Sequence, residues 1–125
     1  MALNKDKKDI KKWVIDIPDC HPSLNKWTRM HWAQRAKMKS EFEELAFWSA
    51  KKSGLPKLTE PVEIFITYYH PKQTVDLDNY TPKFFLDALK QFFVDDNFLY
   101  LVKLGWTFKK GTKRSVVEIS LAQEK

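Results

Sequence analysis

The sequence predicts an α+β domain, its helices packed on a mixed sheet in the chain order β-α-β-α-β-β. Short segments rich in β-branched and aromatic residues alternate with longer stretches whose apolar residues recur at helical spacing. The 125 residues, 43% hydrophobic and 14% aromatic, can close one core and leave little for a second. No internal repeat, low-complexity run or Gly/Ser linker marks a boundary, so residues 1–125 read as a single domain.

Residues 1–11, with Lys5, Lys7, Lys8 and Lys11, read as a basic, flexible leader. Trp13 to Ile17 forms a short strand that Pro18 ends, and Pro22 to Thr28 reads as an irregular loop. A long helix is expected from Met30 to Lys52. Its apolar stripe is Met38, Phe42, Leu45 and Ala46, with Arg35, Lys39 and Glu43 off it, and Gly54 and Pro56 stop it. Val62 to Tyr69 is the clearest strand. Thr81 reads as an N-cap with Pro82 at the first helical position, and the helix runs to Phe92. From Phe98 to Phe108 the chain alternates, with Tyr100, Val102, Leu104, Trp106 and Phe108 on one side. Lys109 to Lys113 is a basic turn that closes a hairpin onto Ser115 to Leu121.

Composition narrows the function. The aromatic content argues against disorder, and no apolar run reaches the length of a membrane span. The N-terminus lacks the apolar core of a secretory signal, so a cytoplasmic protein is the simplest fit. A lone Cys20 excludes an internal disulfide and a closed multi-cysteine zinc site, and His21, His31 and His70 have no metal-ligand spacing. With three glycines there is no phosphate-binding loop and no dinucleotide fingerprint. Twenty-two Lys and Arg against sixteen Asp and Glu give a net charge of +6, which favours a polyanion such as nucleic acid. Five of the sixteen acids, Asp76, Asp78, Asp87, Asp95 and Asp96, fall between positions 76 and 96. The chain is a basic body around one acidic spot.

Asp76-Leu77-Asp78 is the segment that best fits chemistry. In extended backbone the two carboxylates project to one side while Leu77 turns inward. Asp95 and Asp96 follow the next helix, so neighbouring strands would bring up to four carboxylates together. Carboxylates that close repel one another unless a hard cation such as Mg²⁺ or Mn²⁺ compensates them. Such a cation polarises a phosphoryl group and acidifies water. Lys83, at the start of the helix that follows, is placed to neutralise charge on a scissile phosphate. The alternative is structural, because an Asp before a helix is commonly a cap and an Asp-Asp pair commonly a turn.

These residues resemble the RusA family of Holliday-junction resolvases, endodeoxyribonucleases of bacteria and their phages. The likeness lies in Asp76-Leu77-Asp78-Asn79, Lys83, Leu86-Asp87-Ala88-Leu89 and Val94-Asp95-Asp96. A weaker match runs through Pro22-Ser23-Leu24-Asn25-Lys26-Trp27 and Met30-His31-Trp32. The resemblance implies a small homodimer that cuts four-way DNA junctions with Mg²⁺ or Mn²⁺. By position it makes Asp76, Asp78 and Asp96 the metal-binding carboxylates, Lys83 the catalytic lysine and Asp95 a supporting acid. The family spacing places the lysine four residues after the second aspartate, where this chain has Pro82; a one-residue insertion near Thr81-Pro82 restores the match. A phage or prophage origin follows from the resemblance alone.

For DNA contact the sequence offers Lys26, Arg29, Arg35, Lys37 and Lys39 around the first helix, then Lys72, Lys109, Lys110, Lys113 and Arg114. Trp27, Trp32 and Tyr69 are candidates to stack on unpaired bases. Phe84, Phe85, Phe92 and Phe93 surround their helix more widely than one buried stripe needs, which suggests a second burial surface in a homodimer. Asp87, four residues after Lys83, is expected to pair with it. Two other readings stand beside the resolvase. One is an inactive protein that binds branched DNA; the other is a protein-interaction module whose acids are caps.

Overall fold

The central strand, Val62–His70, carries Val62, Ile64, Ile66 and Tyr68 buried on one face, and the rest of the domain is arranged around it. The computed structural model describes residues 12–72, 80–93 and 100–122. In chain order the elements are β1 (Lys12–Ile17), α1 (Leu24–Arg29), α2 (Trp32–Lys52), β2 (Val62–His70), α3 (Lys83–Leu89) with a 3₁₀ turn over Lys90–Phe92, β3 (Leu101–Lys110) and β4 (Arg114–Leu121). The sheet order is β1-β4-β2-β3; β2 pairs parallel with β3, and the other pairs are antiparallel. This is the expected α+β fold with a mixed sheet.

Register lines up three four-residue rows of side chains on the helix-covered face. Ile17, Ser115, Tyr68 and Phe108 form the row at the end of the sheet where β1, β2 and β3 finish and β4 begins. Ile15, Val117, Ile66 and Trp106 form the next, then Trp13, Ile119, Ile64 and Leu104. Phe42, Ala46 and Ala50 of α2 and Phe85, Ala88 and Leu89 of α3 close the core over these rows. The opposite face of the sheet is ruled by ion pairs between β1 and β4, Lys12 with Glu118 and Asp16 with Arg114.

The hairpin expected of the last two strands does not form. β4 lies between β1 and β2, so residues 111–113 cross the end of β2, where Gly111 donates its N–H to the His70 carbonyl at 2.9 Å. A Cβ on Gly111 would stand 3.1 Å from the Tyr69 ring, a close contact that glycine avoids. Alternation specifies a strand without naming its partner. The buried Ser115, Val117 and Ile119 are accommodated in the middle of the sheet, where strands flank them on both sides.

Three local expectations also change. The segment read as a loop contains α1, with Ser23 as its N-cap accepting from the Lys26 N–H at 3.3 Å; six residues are too few to show a period. A bulge opposite Val62/Glu63 turns Val102 outward, 48% exposed, and leaves Leu101 with Leu104 and Phe108 against the core. The helix after Pro82 begins one residue late: Pro82 is the cap, and the Thr81 hydroxyl accepts from the Lys83 N–H at 3.3 Å. The four phenylalanines expected to need a second subunit are all buried within the chain, Phe84 beneath Trp27 and Phe92 against Phe47. That reason for a dimer is removed.

The stop of α2 follows the sequence closely. Gly54 has φ +84°, its N–H bonds to Lys51 O at 3.0 Å, and the Leu55 N–H bonds to Ala50 O at 3.1 Å. Gly54→Ala is expected to cost about 1 kcal/mol, the strain of a left-handed L-residue, read as a lower urea midpoint with an unchanged slope.

Candidate functional site

Asp76, Asp78, Asp95 and Asp96 lie outside the described residues. What is described is the frame on either side of them. Lys72 and Tyr80 sit at the Tyr68 end of the sheet, since Lys72 donates its N–H to the His70 Nδ1 at 3.1 Å and Tyr80 packs on Tyr68 and Phe108. Phe93 and Tyr100 sit at the other end, where Phe93 bridges to Leu58 and the Val62 N–H bonds to Tyr100 O at 2.6 Å. α3 runs between those ends, with Lys83 at the Tyr68 end.

Lys83 is exposed and its ammonium lies 3.6 Å from the Asp87 carboxylate, the intrahelical pair the spacing predicts. Unannounced by any spacing, Lys39 of α2 reaches the same oxygen, at 3.5 Å, while also lying 3.9 Å from Glu43. Two cations thus share one carboxylate across a groove between α2 and α3, lined by Lys39, Glu43, Phe47, Lys83, Asp87 and Gln91 among others. Such exposed pairs hold weakly, typically by less than ~1 kcal/mol, so an arriving phosphate can compete with Asp87 for Lys83. A cation held in place but loosely paired is suited to stabilising charge that develops during a reaction.

Beneath the first turn of α3, His21 packs on Phe84 and Phe85, the two residues after Lys83. Its Nδ1 donates to the Pro22 carbonyl at 2.8 Å, and its Nε2 therefore accepts from the Tyr68 hydroxyl at 2.8 Å. The ring is 1% exposed and stacks on Phe84, centroids 4.5 Å apart, with Phe42, Phe85 and Tyr68 edge-on to it. Burial holds the imidazole neutral, its pKa lowered to about 4, and pushes the Tyr68 hydroxyl far above its ordinary value. Burial likewise raises the Cys20 thiol to about 11, so it is a poor nucleophile. His21, which has no metal-ligand spacing in the sequence, is a core residue. Nothing in its sequence neighbourhood announced Tyr68, 47 residues away.

The cations divide into two groups. Arg35 donates to the Trp27 and Thr28 carbonyls at 3.0 and 2.9 Å and thereby ties the end of α1 to α2. Arg114 stacks over Tyr69 at 4.3 Å and pairs with Asp16; Lys113 pairs with Asp19, and Lys39 with Asp87. Lys26, Arg29, Lys37, Lys72, Lys109 and Lys110 make no ion pair among the described residues. Five of these six lie on α1 or around the β2 and β3 ends, that is, at the Lys83 end of the fold; Lys37 is farther along α2. Lys51, Lys52, Lys57, Lys90 and Lys103 also make no ion pair among the described residues and lie toward the other end, so it is most of the unpaired candidate cations, and not the unpaired charge as a whole, that gather at the Lys83 end.

Among the described residues no three His, Cys, Asp or Glu side chains group closely enough to hold a metal ion, and no helix is long and apolar enough to cross a membrane. No protein-family model matches the chain, and no curated protein matches it either.

Proposed function

We propose that the protein is a metal-dependent endodeoxyribonuclease that resolves four-way DNA junctions. The observation that carries this reading is the placement of Lys83. It stands exposed at the N-terminal end of α3, at the end of the sheet that carries Lys72, Lys109 and Lys110, five residues after Asp78 in the chain. Asp76, Asp78 and Asp96 are the residues that would hold Mg²⁺ or Mn²⁺, with Asp95 beside them; the ion would supply Lewis-acid polarisation and an acidified water. The chain's own residues bind and orient the substrate. Lys26, Arg29, Lys72, Lys109 and Lys110 neutralise phosphates and fix register, and Lys83 leaves Asp87 to meet the scissile phosphate. A homodimer, suggested by the resemblance to the RusA family, would supply two such sites for paired nicks. An inactive branched-DNA-binding protein is the second reading, favoured by the same cations if the carboxylates hold no metal.

DNA binding is the common requirement of both readings. With six phosphate contacts, the affinity for a four-way junction should fall with salt at a log–log slope of about −5. Replacing Lys109 and Lys110 together by Ala should reduce that slope by about 2. Filter binding in the absence of divalent metal measures both. No affinity at low salt would overturn both readings and leave the protein-interaction module.

A further inference from the structure

Trp32 is 74% exposed, more than any other large apolar side chain among the described residues. Single exposed aromatics are ordinary, so the exposure alone carries nothing. Its mounting and its neighbours carry more. The first turn of α2 is fixed by a reciprocal cap: the Ala33 N–H bonds to His31 Nδ1 at 3.2 Å, and the His31 N–H to Gln34 Oε1 at 3.4 Å. Arg35 locks that turn to α1 through the Trp27 and Thr28 carbonyls. An indole left in water is therefore held on a rigid base.

Trp32 precedes Lys39 by seven residues, so it lies on the same face of α2, about 10 Å farther toward the N-terminus. Lys39 faces α3, because it meets the Asp87 carboxylate that Lys83 also meets. Trp32 thus stands at the Lys83 end of the groove, while Lys26 and Arg29 of α1 border the other side of α2 beside Gln34, Lys37 and Glu41. The two other stacking candidates are already engaged. Trp27 packs on Phe84 at 5.0 Å, and the Tyr69 ring is covered by Arg114. Trp48, 61% exposed, is on the opposite side of α2, beside Val14 and Leu45.

We infer that Trp32 stacks on an unpaired base at the branch point of DNA and so sets the adjoining phosphate beside Lys83. This assignment rests on the junction reading above and adds the residue that makes the choice of substrate. A stacking ring accepts any base with a free face, so it selects structure and not sequence, and a linear duplex offers it such a face only at its two ends.

The test is fluorescence anisotropy on the full chain, with chelator present, using a four-way junction and a linear duplex of matched sequence. Trp32→Ala should weaken junction binding about tenfold and leave duplex binding unchanged, while Trp32→Phe keeps most of the affinity. Trp48→Ala should change neither. A 2-aminopurine at the branch point should be quenched by the wild-type chain and not by Trp32→Ala. Wild-type junction affinity in Trp32→Ala, or an equal loss on junction and duplex, would overturn the assignment. A wild-type chain that binds no DNA overturns the functional reading itself, and this assignment with it.

Discussion

Asp78→Asn is expected to slow junction cleavage by more than about a hundredfold, the upper end of what outer-shell metal partners alone contribute. The substitution keeps shape and removes one negative charge, so the affinity for DNA should hold or rise slightly as repulsion from phosphate falls. Asp76→Asn should behave alike. Lys83→Ala should lower the single-turnover rate by a comparable factor with binding intact, because in the proposed mechanism its charge acts on the reacting phosphate and adds little to a surface already rich in cations. Asp96 is the informative comparison. Its described flanks, Phe93 and Tyr100, lie at the end of the sheet away from Lys83, whereas those of Asp78, Lys72 and Tyr80, lie beside it. Equal loss in Asp96→Asn would place that carboxylate in the same site. Retained activity would restrict the site to Asp76, Asp78 and Lys83.

His21→Ala is expected to destabilise the fold by about 3–4 kcal/mol, since it empties a ring-sized space among Phe42, Phe84, Phe85 and Tyr68 and strips a buried hydroxyl of its partner. For a chain of this size that corresponds to a fall in Tm of roughly 10–15 °C. Tyr68→Phe alone should cost about 1–3 kcal/mol, because Nε2 of His21 is then buried without a donor. The double change His21→Phe with Tyr68→Phe removes both polar groups and should recover part of the loss. The pH dependence has a definite sign. The folded-state pKa of about 4 lies below the ordinary 6.5, so between those values the unfolded chain binds a proton that the folded chain does not. Stability therefore falls as pH drops through that window, at up to about 1.4 kcal/mol per unit, and the slope ends below the lower value. Urea midpoints at pH 7 and pH 5 should differ in the wild type and converge in His21→Phe.

Much of the fold was legible because burial leaves a period in the sequence. Of the stripe Met38, Phe42, Leu45 and Ala46, Phe42 and Ala46 are buried on the inner face of α2 and Met38 and Leu45 flank it half-buried, and the run Val62 to Tyr69 marks the central strand. Partnership leaves no such mark. The position of β4 between β1 and β2 depends on which apolar edges meet in three dimensions, and a three-residue connection after β3 reads equally well as a hairpin. The four phenylalanines of α3 and the turn after it illustrate the same limit: their number was plain, but the surfaces that bury them, Trp27, Phe47 and the segment at Leu58, are far away in the chain. At the candidate site the spacing of Lys83 and Asp87 was enough to pair them. The third member, Lys39, shows in the sequence only as a cation off the apolar stripe, a position that solvent explains as readily as a partner.

The most direct test is incubation of the chain with a synthetic four-way junction and a linear duplex of matched sequence, with and without Mg²⁺ or Mn²⁺. Paired nicks on opposing strands of the junction, absent from the duplex and absent without metal, are the predicted result. Tight junction binding with no cleavage under either cation would contradict the enzyme and leave a branched-DNA-binding protein; equal cutting of both substrates would contradict junction selectivity.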